Sequence, residues 1–222
     1  MSQPAIRAVA FDIDGTLYPN ARMYRASLPI VLANLRLFRA FGAARREIRV
    51  RRPIADLAGE TAELTAEHLG QSVAATRHQI DEVIYRRWEL VLRRVPLYPG
   101  VVGLLDWLRS REIPIAAMSD FPVTQKLAIL GLADIWDAAF SSEDIGYLKP
   151  NAEPFHELSA RLDRPPASLL YVGNSFHYDV LGAHAQGFPT AHLARRPPAN
   201  SPALLTFRHF SELQAWIGDR LS

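Results

Sequence analysis

Hydrophobic residues follow two different patterns along the chain. A short apolar run over residues 5–13 predicts a buried strand that ends at Asp12 and at an Asp-Gly-Thr turn. Over residues 20–95, apolar positions recur at helical spacing, and no strand-like alternation interrupts them. This second stretch predicts an all-helical insert of three or four helices.

One helix of the insert is predicted over residues 28–41. Ser27 is a suitable N-cap, Pro29 fits the first turn, and Gly42 stands just past the end. A further apolar stripe at helical spacing runs over residues 80–95 and predicts another helix.

Beyond residue 99 the chain alternates between helical patterns and short apolar runs. The runs predict strands over residues 113–118, 138–142, 168–173 and 190–194. Helices are predicted over residues 101–110, 122–130, 154–162, 177–186 and 211–221, the last capped by Ser211, and residues 195–202 read as a loop. Such alternation predicts an α/β fold, a doubly wound parallel sheet covered on both faces.

The composition narrows the chemistry. The chain has 222 residues and no cysteine, which excludes thiol catalysis, cysteine-ligated zinc and disulfide bonds. Neither a signal-peptide pattern nor an apolar stretch long enough to cross a membrane is apparent, so we expect a cytoplasmic protein with no membrane contact.

Charge is distributed unevenly. Residues 20–95 hold 14 arginines and 8 acidic residues, a net charge of +6, which leaves −4 for the rest of a chain whose total is +2. Seven of these arginines lie within residues 36–52, where a solvated helix surface is the simplest interpretation. Lysine occurs only at Lys126 and Lys149, so arginine replaces lysine throughout, and this bias weakens a nucleic-acid interpretation.

Polar side chains follow the predicted strands. In parallel sheets ligands bind at the carboxyl ends of the strands, so these side chains are expected to meet at one edge. They are Asp12, Asp14, Ser119, Asp120, Lys149, Asn174 and Asp179.

Each of these residues has a chemical interpretation and a plainer one. Two carboxylates at Asp12 and Asp14 need a cation such as Mg²⁺ or a shared proton, although an acidic turn would look the same. The Ser119 hydroxyl can donate to a phosphoryl oxygen or cap a helix. Lys149 can neutralise phosphoryl charge or lie at the surface. Asn174 and Asp179 can complete a metal site or start a helix.

As a set, these segments resemble the haloacid dehalogenase-like hydrolases. The resemblance rests on four motifs in order: Phe11-Asp12-Ile13-Asp14-Gly15-Thr16-Leu17, Met118-Ser119-Asp120, Leu148-Lys149-Pro150, and Val172-Gly173-Asn174-Ser175 with Asp179-Val180 and Gly182-Ala183. It implies a Rossmann-like core over residues 1–19 and 96–222 and an all-helical cap domain over residues 20–95.

The resemblance also implies roles. Asp12 is then the nucleophile, and Asp14 protonates the leaving group and later activates water. The remaining implied roles are substrate binding by Ser119, Asp120 and Lys149, and Mg²⁺ binding by Asp12, the Asp14 carbonyl, Asn174 and Asp179. The family usually has Asp where this chain has Asn174, which predicts weaker metal binding unless Asp179 binds directly.

The expected activity is Mg²⁺-dependent hydrolysis of a small phosphorylated metabolite by a monomer or homodimer, with no nucleic acid involved. A dehalogenase, a phosphomutase and a non-catalytic binding protein remain alternatives, as does a basic membrane-surface helix over residues 28–52. The charge split adds a hypothesis that some of the arginines past Gly42 bind a second acidic group of the substrate, the candidates being Arg45, Arg46, Arg49, Arg51 and Arg52.

Overall fold

A single sheet of six parallel strands forms the core of the computed structural model, which describes residues 5–221. The strands are β1 (Ala8–Asp12), β2 (Ile115–Ser119), β3 (Ala138–Ser141), β4 (Leu169–Gly173), β5 (Thr190–Leu193) and β6 (Leu205–Phe207). They lie in the order β3-β2-β1-β4-β5-β6. Because the chain winds outwards from β1 first to one side and then to the other, the predicted doubly wound parallel sheet is confirmed.

Nine α-helices accompany the sheet in the described residues. They are α1 (Asn20–Ala33), α2 (Leu35–Ile48), α3 (Leu57–Leu69), α4 (Val73–Gln79), α5 (Val101–Arg109), α6 (Thr124–Ile129), α7 (Ala152–Leu162), α8 (Gly182–Ala185) and α9 (Phe210–Gly218). A π-helical segment (Ile80–Trp88) and a 3-10 segment (Glu89–Arg94) continue from α4. The helical insertion after β1 is therefore confirmed.

Both faces of the sheet are buried, which explains why its strands read as continuous apolar runs. Val9 and Phe11 of β1 belong to one hydrophobic cluster, and Ala8 and Ala10 belong to the cluster on the opposite face. The inserted helices have a cluster of their own, formed by residues such as Leu37, Phe41, Ala62, Ile80 and Ile84.

The helix predicted over residues 28–41 is wrong in its bounds. Two helices cover this stretch and meet at Asn34, whose backbone leaves the helical conformation with φ −127° and ψ 31°. Pro29 lies inside α1 and Gly42 inside α2. Ser27 is not a cap, because its hydroxyl donates to the Met23 carbonyl 2.8 Å away, one turn earlier in the same helix.

Two smaller differences concern the C-terminal part. Ser211 lies inside α9 and not before it, since the helix begins at Phe210. The short strand β6 was not predicted, because three residues give too little alternation to detect. No helix within residues 5–221 is long and apolar enough to cross a lipid bilayer.

Candidate active site

One cavity of about 400 Å³ opens at the carboxyl edge of the sheet, between the core and the inserted helices. Six of the seven predicted site residues line it, namely Asp12, Asp14, Asp120, Lys149, Asn174 and Asp179. The seventh, Ser119, is fully buried beside the cavity and donates a hydrogen bond to the Asp14 carboxylate. The topology brings the seven together because β3, β2, β1 and β4 are neighbours in the parallel sheet and end at the same edge.

Lys149 lies at the centre of the site and contacts two carboxylates. Its ammonium donates to Asp12 Oδ1 at 2.7 Å and to Asp179 Oδ1 at 2.6 Å, and its third neighbour is the Tyr171 hydroxyl at 3.2 Å. Burial pushes the pKa of Lys149 down, but Asp12 and Asp179 outweigh burial and raise it well above its usual range. Lys149 is therefore a buried, permanently charged cation.

Asp12 is the most perturbed carboxylate of the site. Burial is the main cause and the nearby charge of Asp179 adds to it, so that the pKa of Asp12 rises to about 7 despite the opposing charge of Lys149. Its second oxygen accepts a hydrogen bond from Thr16 at 2.7 Å. One ammonium thus faces two carboxylates, which leaves an excess of negative charge.

The Asn174 amide lies beside this excess charge. Its hydrogen bonds are satisfied when its NH₂ group donates to the Asp14 carbonyl and to Asp12 Oδ2, each at 3.2 Å, and its oxygen accepts from Asn20 Nδ2 at 3.3 Å. A half-turn of the amide would bring its oxygen 3.2 Å from the same two oxygens, the orientation that a bound cation would require. Ligands of octahedral Mg²⁺ at its usual bond length are about 3 Å apart, so the spacing suits this ion.

The donor set fits Mg²⁺ without a dense acidic cluster. Within residues 5–221 there is no group of three or more His, Asp or Glu side chains arranged to hold a metal. An amide, a backbone carbonyl and the Asp12 carboxylate are nevertheless the hard oxygen donors that Mg²⁺ prefers. Mg²⁺ binding by Asp12, Asp14, Asn174 and Asp179 stays a prediction that this geometry supports.

Asp14 is bound by a residue that the sequence analysis did not select. The Lys126 ammonium lies 2.7 and 2.6 Å from the two oxygens of Asp14, and the hydroxyls of Tyr18 and Ser119 donate to the same carboxylate. Burial alone would raise the pKa of Asp14, but the charge and hydrogen bonds of Lys126 outweigh it and lower the pKa. Asp14 is therefore held ionised by its surroundings.

Asp120 connects three parts of the site. Its Oδ1 accepts from the Ser142 hydroxyl at 2.6 Å and from the backbone N–H of Lys149 at 3.0 Å, and its Oδ2 accepts from Arg49 at 2.5 Å. Because protein donors occupy both oxygens, the carboxylate fixes the Lys149 loop. Direct contact between Asp120 and a substrate stays a prediction.

Arginines of the inserted helices are paired with acidic residues of the core. Arg45 is buried and forms an ion pair with Glu143, while Arg49 pairs with Asp120 and donates to the Lys149 carbonyl at 2.9 Å. Arg46 is exposed and does not line the cavity. These contacts join the insert to the core. Arg45 and Arg46 lie outside the cavity, whereas Arg49 lines it, so binding of a substrate acid stays a prediction for Arg49.

Two signals for the unselected residues were present in the sequence. Lys126 and Lys149 are the only two lysines of an arginine-rich chain, so the same rarity marked both residues. Thr16 stands within the first motif and Tyr18 directly after it, four residues after Asp12 and Asp14 respectively, so their contacts follow from local chain geometry. The pairing of Arg49 with Asp120 had no local signal, because the two residues are 71 positions apart.

Comparison with known proteins decides the family. The family model for haloacid dehalogenase-like hydrolases matches residues 6–187. This chain is a haloacid dehalogenase-like hydrolase. The resemblance seen in the four motifs is thereby confirmed.

Relatives of this hydrolase include phosphatases of small metabolites. Phosphoglycolate phosphatase of Yersinia pseudotuberculosis is 31% identical over 224 residues, which cover 96% of this chain and 94% of that protein. Glyceraldehyde 3-phosphate phosphatase of Methanopyrus kandleri is 28% identical over 217 residues, which cover 86% of this chain and 84% of that protein. The solved 2-haloacid dehalogenase of Pseudomonas syringae has the same fold, with a TM-score of 0.70, 21% identity and coverage of 97% and 99%.

The hydrolase depends on Gly173 to place Asp179. A Cβ on Gly173 would lie 2.3 Å from Asp179 Cβ and 2.5 Å from its Cγ, so Gly173→Ala should push Asp179 away from Lys149. We expect a loss of roughly 1–3 kcal/mol in the free energy of unfolding, measured by chemical denaturation. Gly103→Ala is the control, because Gly103 lies in exposed helix with no atom near its added Cβ, and it should be neutral or stabilising. Equal effects of the two changes would contradict this account.

Adjacent arginines of α2 provide a second test. Arg45→Met removes the ion-pair partner of the partly buried Glu143, which should cost about 1–3 kcal/mol of unfolding free energy. Arg46→Met removes the same charge from an exposed position and should change stability by less than about 0.5 kcal/mol. Urea denaturation of both variants measures the difference, and a loss of similar size in both would show that the Arg45 pair contributes nothing particular.

Proposed function

We propose that this hydrolase is a Mg²⁺-dependent phosphatase that hydrolyses a small phosphorylated metabolite through an aspartyl-phosphate on Asp12. The observation that carries the proposal is the setting of Asp12, which faces the cavity between Lys149 and a group of metal-compatible oxygens. The phosphatase activities named for the relatives support the substrate class.

In the first step a carboxylate oxygen of Asp12 attacks phosphorus, and the bond from phosphorus to the leaving oxygen breaks. Hydrogen bonds from Thr16 and Lys149 fix the orientation of the carboxylate before the substrate arrives. The Lys149 ammonium then neutralises charge that gathers on the phosphoryl oxygens in the transition state. Ser119, whose hydroxyl points to Asp14 in the free protein, is proposed to turn its hydrogen bond to a phosphoryl oxygen.

Asp14 is proposed to move protons in both steps. It gives a proton to the leaving oxygen in the first step and takes one from the attacking water in the second. The ionised state that Lys126 favours suits the second step directly. For the first step Asp14 must take up a proton from solvent through the cavity that it lines, while Tyr18, Ser119 and Lys126 donate hydrogen bonds to its carboxylate.

Mg²⁺ would be held by Asp12, the Asp14 carbonyl, Asn174 and Asp179, and would supply positive charge that lets the phosphate approach two carboxylates. Within this set Asp12 and Asp179 provide the charge, while Asn174 and the carbonyl contribute neutral oxygens. Asp179 Oδ2 also accepts from the Ser175 backbone N–H at 2.9 Å, which keeps the loop after β4 in place.

A dehalogenase is the second candidate. It would use the same Asp12 nucleophile on carbon, and it needs neither a metal nor an acid two residues later. The observation that favours it is Asn174, which removes one metal-binding charge. Halide release from a 2-haloacid without Mg²⁺ would favour this reading, whereas Mg²⁺-dependent phosphate release from an ester would favour the phosphatase.

The nucleophile is tested by Asp12→Asn. With p-nitrophenyl phosphate and Mg²⁺ we expect kcat to fall by several orders of magnitude, because no aspartyl-phosphate can form. Turnover close to the wild-type value would rule out the proposed mechanism.

A stability measurement shows that this variant is folded. Because the pKa of Asp12 is raised to about 7 in the folded protein, the unfolded state loses its proton between about pH 4 and 7 while the folded state keeps it. The contribution of Asp12 to the free energy of unfolding of the wild type therefore falls as pH rises through that window. Asp12→Asn lacks this effect, so its Tm relative to wild type should be higher at pH 8 than at pH 5.

The metal site is tested by Asn174→Asp. Without Mg²⁺ the added carboxylate lies beside Asp12 and should lower Tm through like-charge repulsion. With Mg²⁺ the same carboxylate should bind the ion more strongly, so the rise in Tm on Mg²⁺ addition should exceed that of the wild type. Asn200→Asp, on an exposed loop away from the cavity, is the control. An equal Mg²⁺ response in wild type and Asn174→Asp would place Asn174 outside the metal site.

A further inference from the structure

An apolar face of the inserted helices is left uncovered. Nine large hydrophobic side chains are exposed within residues 5–221, and four of them lie together on α1 and at the start of α2. They are Tyr24, Leu28, Leu32 and Leu35, which are 62%, 51%, 61% and 40% exposed. The first three are spaced four residues apart and therefore lie along one side of α1. These four residues are called the α1 face below.

Polar groups of α1 do not offset this apolar surface. Residues 26–33 contain no charged side chain, and the one hydroxyl among them, on Ser27, is buried and donates to the Met23 carbonyl. Exposed leucines that are scattered singly are ordinary, but several on one side of a helix form a contiguous patch. Such a patch is typical of a surface that another molecule covers.

The charge around the α1 face is of one sign. No acidic residue occurs between Asp14 and Glu47, whereas arginines both precede and follow the face. All four are exposed, and none of them forms an ion pair within residues 5–221. They are Arg22 and Arg25 at one end and Arg36 and Arg39 at the other.

This distribution of charge decides between two occupants. In a symmetric pair of chains the α1 face would contact itself, and in either direction the arginines of one copy would approach those of the other. Like charges without acidic partners oppose such a contact. A layer of anionic lipid offers what both features need, namely an apolar interior for the leucines and negative headgroups for the arginines.

We infer that the α1 face docks on an anionic lipid surface, with α1 lying in the plane of the interface. Arg36 and Arg39 then bind phosphate headgroups, since both line a cleft of about 290 Å³ at the end of the face. His68 lines the same cleft and pairs with Glu47 at 2.7 Å, so one acidic residue stands near it.

This surface differs from the membrane-surface helix considered for residues 28–52. The apolar side chains of α2, such as Leu37, Phe41 and Ile48, are buried inside the protein, so α2 cannot offer them to lipid. The helix α1 has 14 residues, too few to cross a bilayer but enough to lie on it. Contact with a membrane surface is therefore expected, in place of the contact-free protein that the sequence indicated.

Docking would bring the active site close to the lipid. Tyr24 belongs to the α1 face and also lines the cavity that holds Asp12 and Lys149. The face therefore reaches the cavity, which would lie beside the headgroups of the docked membrane. The inference does not depend on which reaction the cavity catalyses.

The leucines are tested by vesicle flotation of the full chain. Wild-type protein should float with vesicles of phosphatidylcholine and phosphatidylglycerol, and much less with phosphatidylcholine alone, where the arginines lack anionic partners. Leu28→Gln with Leu32→Gln should weaken binding to the mixed vesicles by roughly 10-fold or more. Val102→Gln with Leu204→Gln is the matched control, because these side chains are 50% and 48% exposed and lie outside the inserted helices.

The arginines are tested by a second pair of changes. Arg36→Gln with Arg39→Gln should weaken binding to the mixed vesicles by roughly 10-fold or more, and added salt should weaken wild-type binding. Arg109→Gln with Arg196→Gln removes the same charge from exposed positions of the core and should change binding by less than about 2-fold. Because every substituted side chain is exposed, all variants should keep a Tm close to that of the wild type.

Three results would overturn the inference. One is a wild-type protein that floats with neither kind of vesicle, or with both equally well. Another is binding that survives the leucine changes as well as it survives the control changes. The third is a wild-type dimer in analytical ultracentrifugation that Leu28→Gln with Leu32→Gln converts to a monomer, since a second copy would then cover the α1 face.

Discussion

The pairing of one buried ammonium with two carboxylates is the constraint around which this active site is built. Lys149 holds Asp12 from the first strand and Asp179 from the segment after the fourth, residues that are 137 and 30 positions away from it in sequence. A buried charge without its partners costs several kcal/mol, so the three segments must stay together for any of them to be stable. The parallel sheet serves this constraint by ending its central strands at one edge.

The uneven charge of the chain has a structural use. Positive residues of the insert face negative residues of the core, as in the pairs of Arg45 with Glu143 and Arg49 with Asp120. Stacking adds to these contacts, since the Arg49 guanidinium lies 4.3 Å from the centre of the Tyr178 ring. Part of the excess charge that the sequence suggested for a ligand is thus neutralised by contacts between the insert and the core.

Sequence patterns predicted the sheet and the residues at its edge, because both depend on short-range features. An apolar run ending in Asp12, or in Gly173 and Asn174, carries its own signal. The break between the first two helices at Asn34 was missed, since apolar spacing continues across it. Contacts such as Lys126 with Asp14, 112 residues apart, depend on tertiary packing and have no local signal.

Asp120 couples the inserted helices energetically to the loop that carries Lys149. Its carboxylate joins the backbone of Lys149 to Arg49 on the inserted helices, so the position of those helices and the position of the Lys149 loop are energetically linked. Linkage of this kind acts equally in both directions. A ligand that stabilises Lys149 in place also favours the present position of the inserted helices, and a change that displaces those helices weakens binding of that ligand by the same factor.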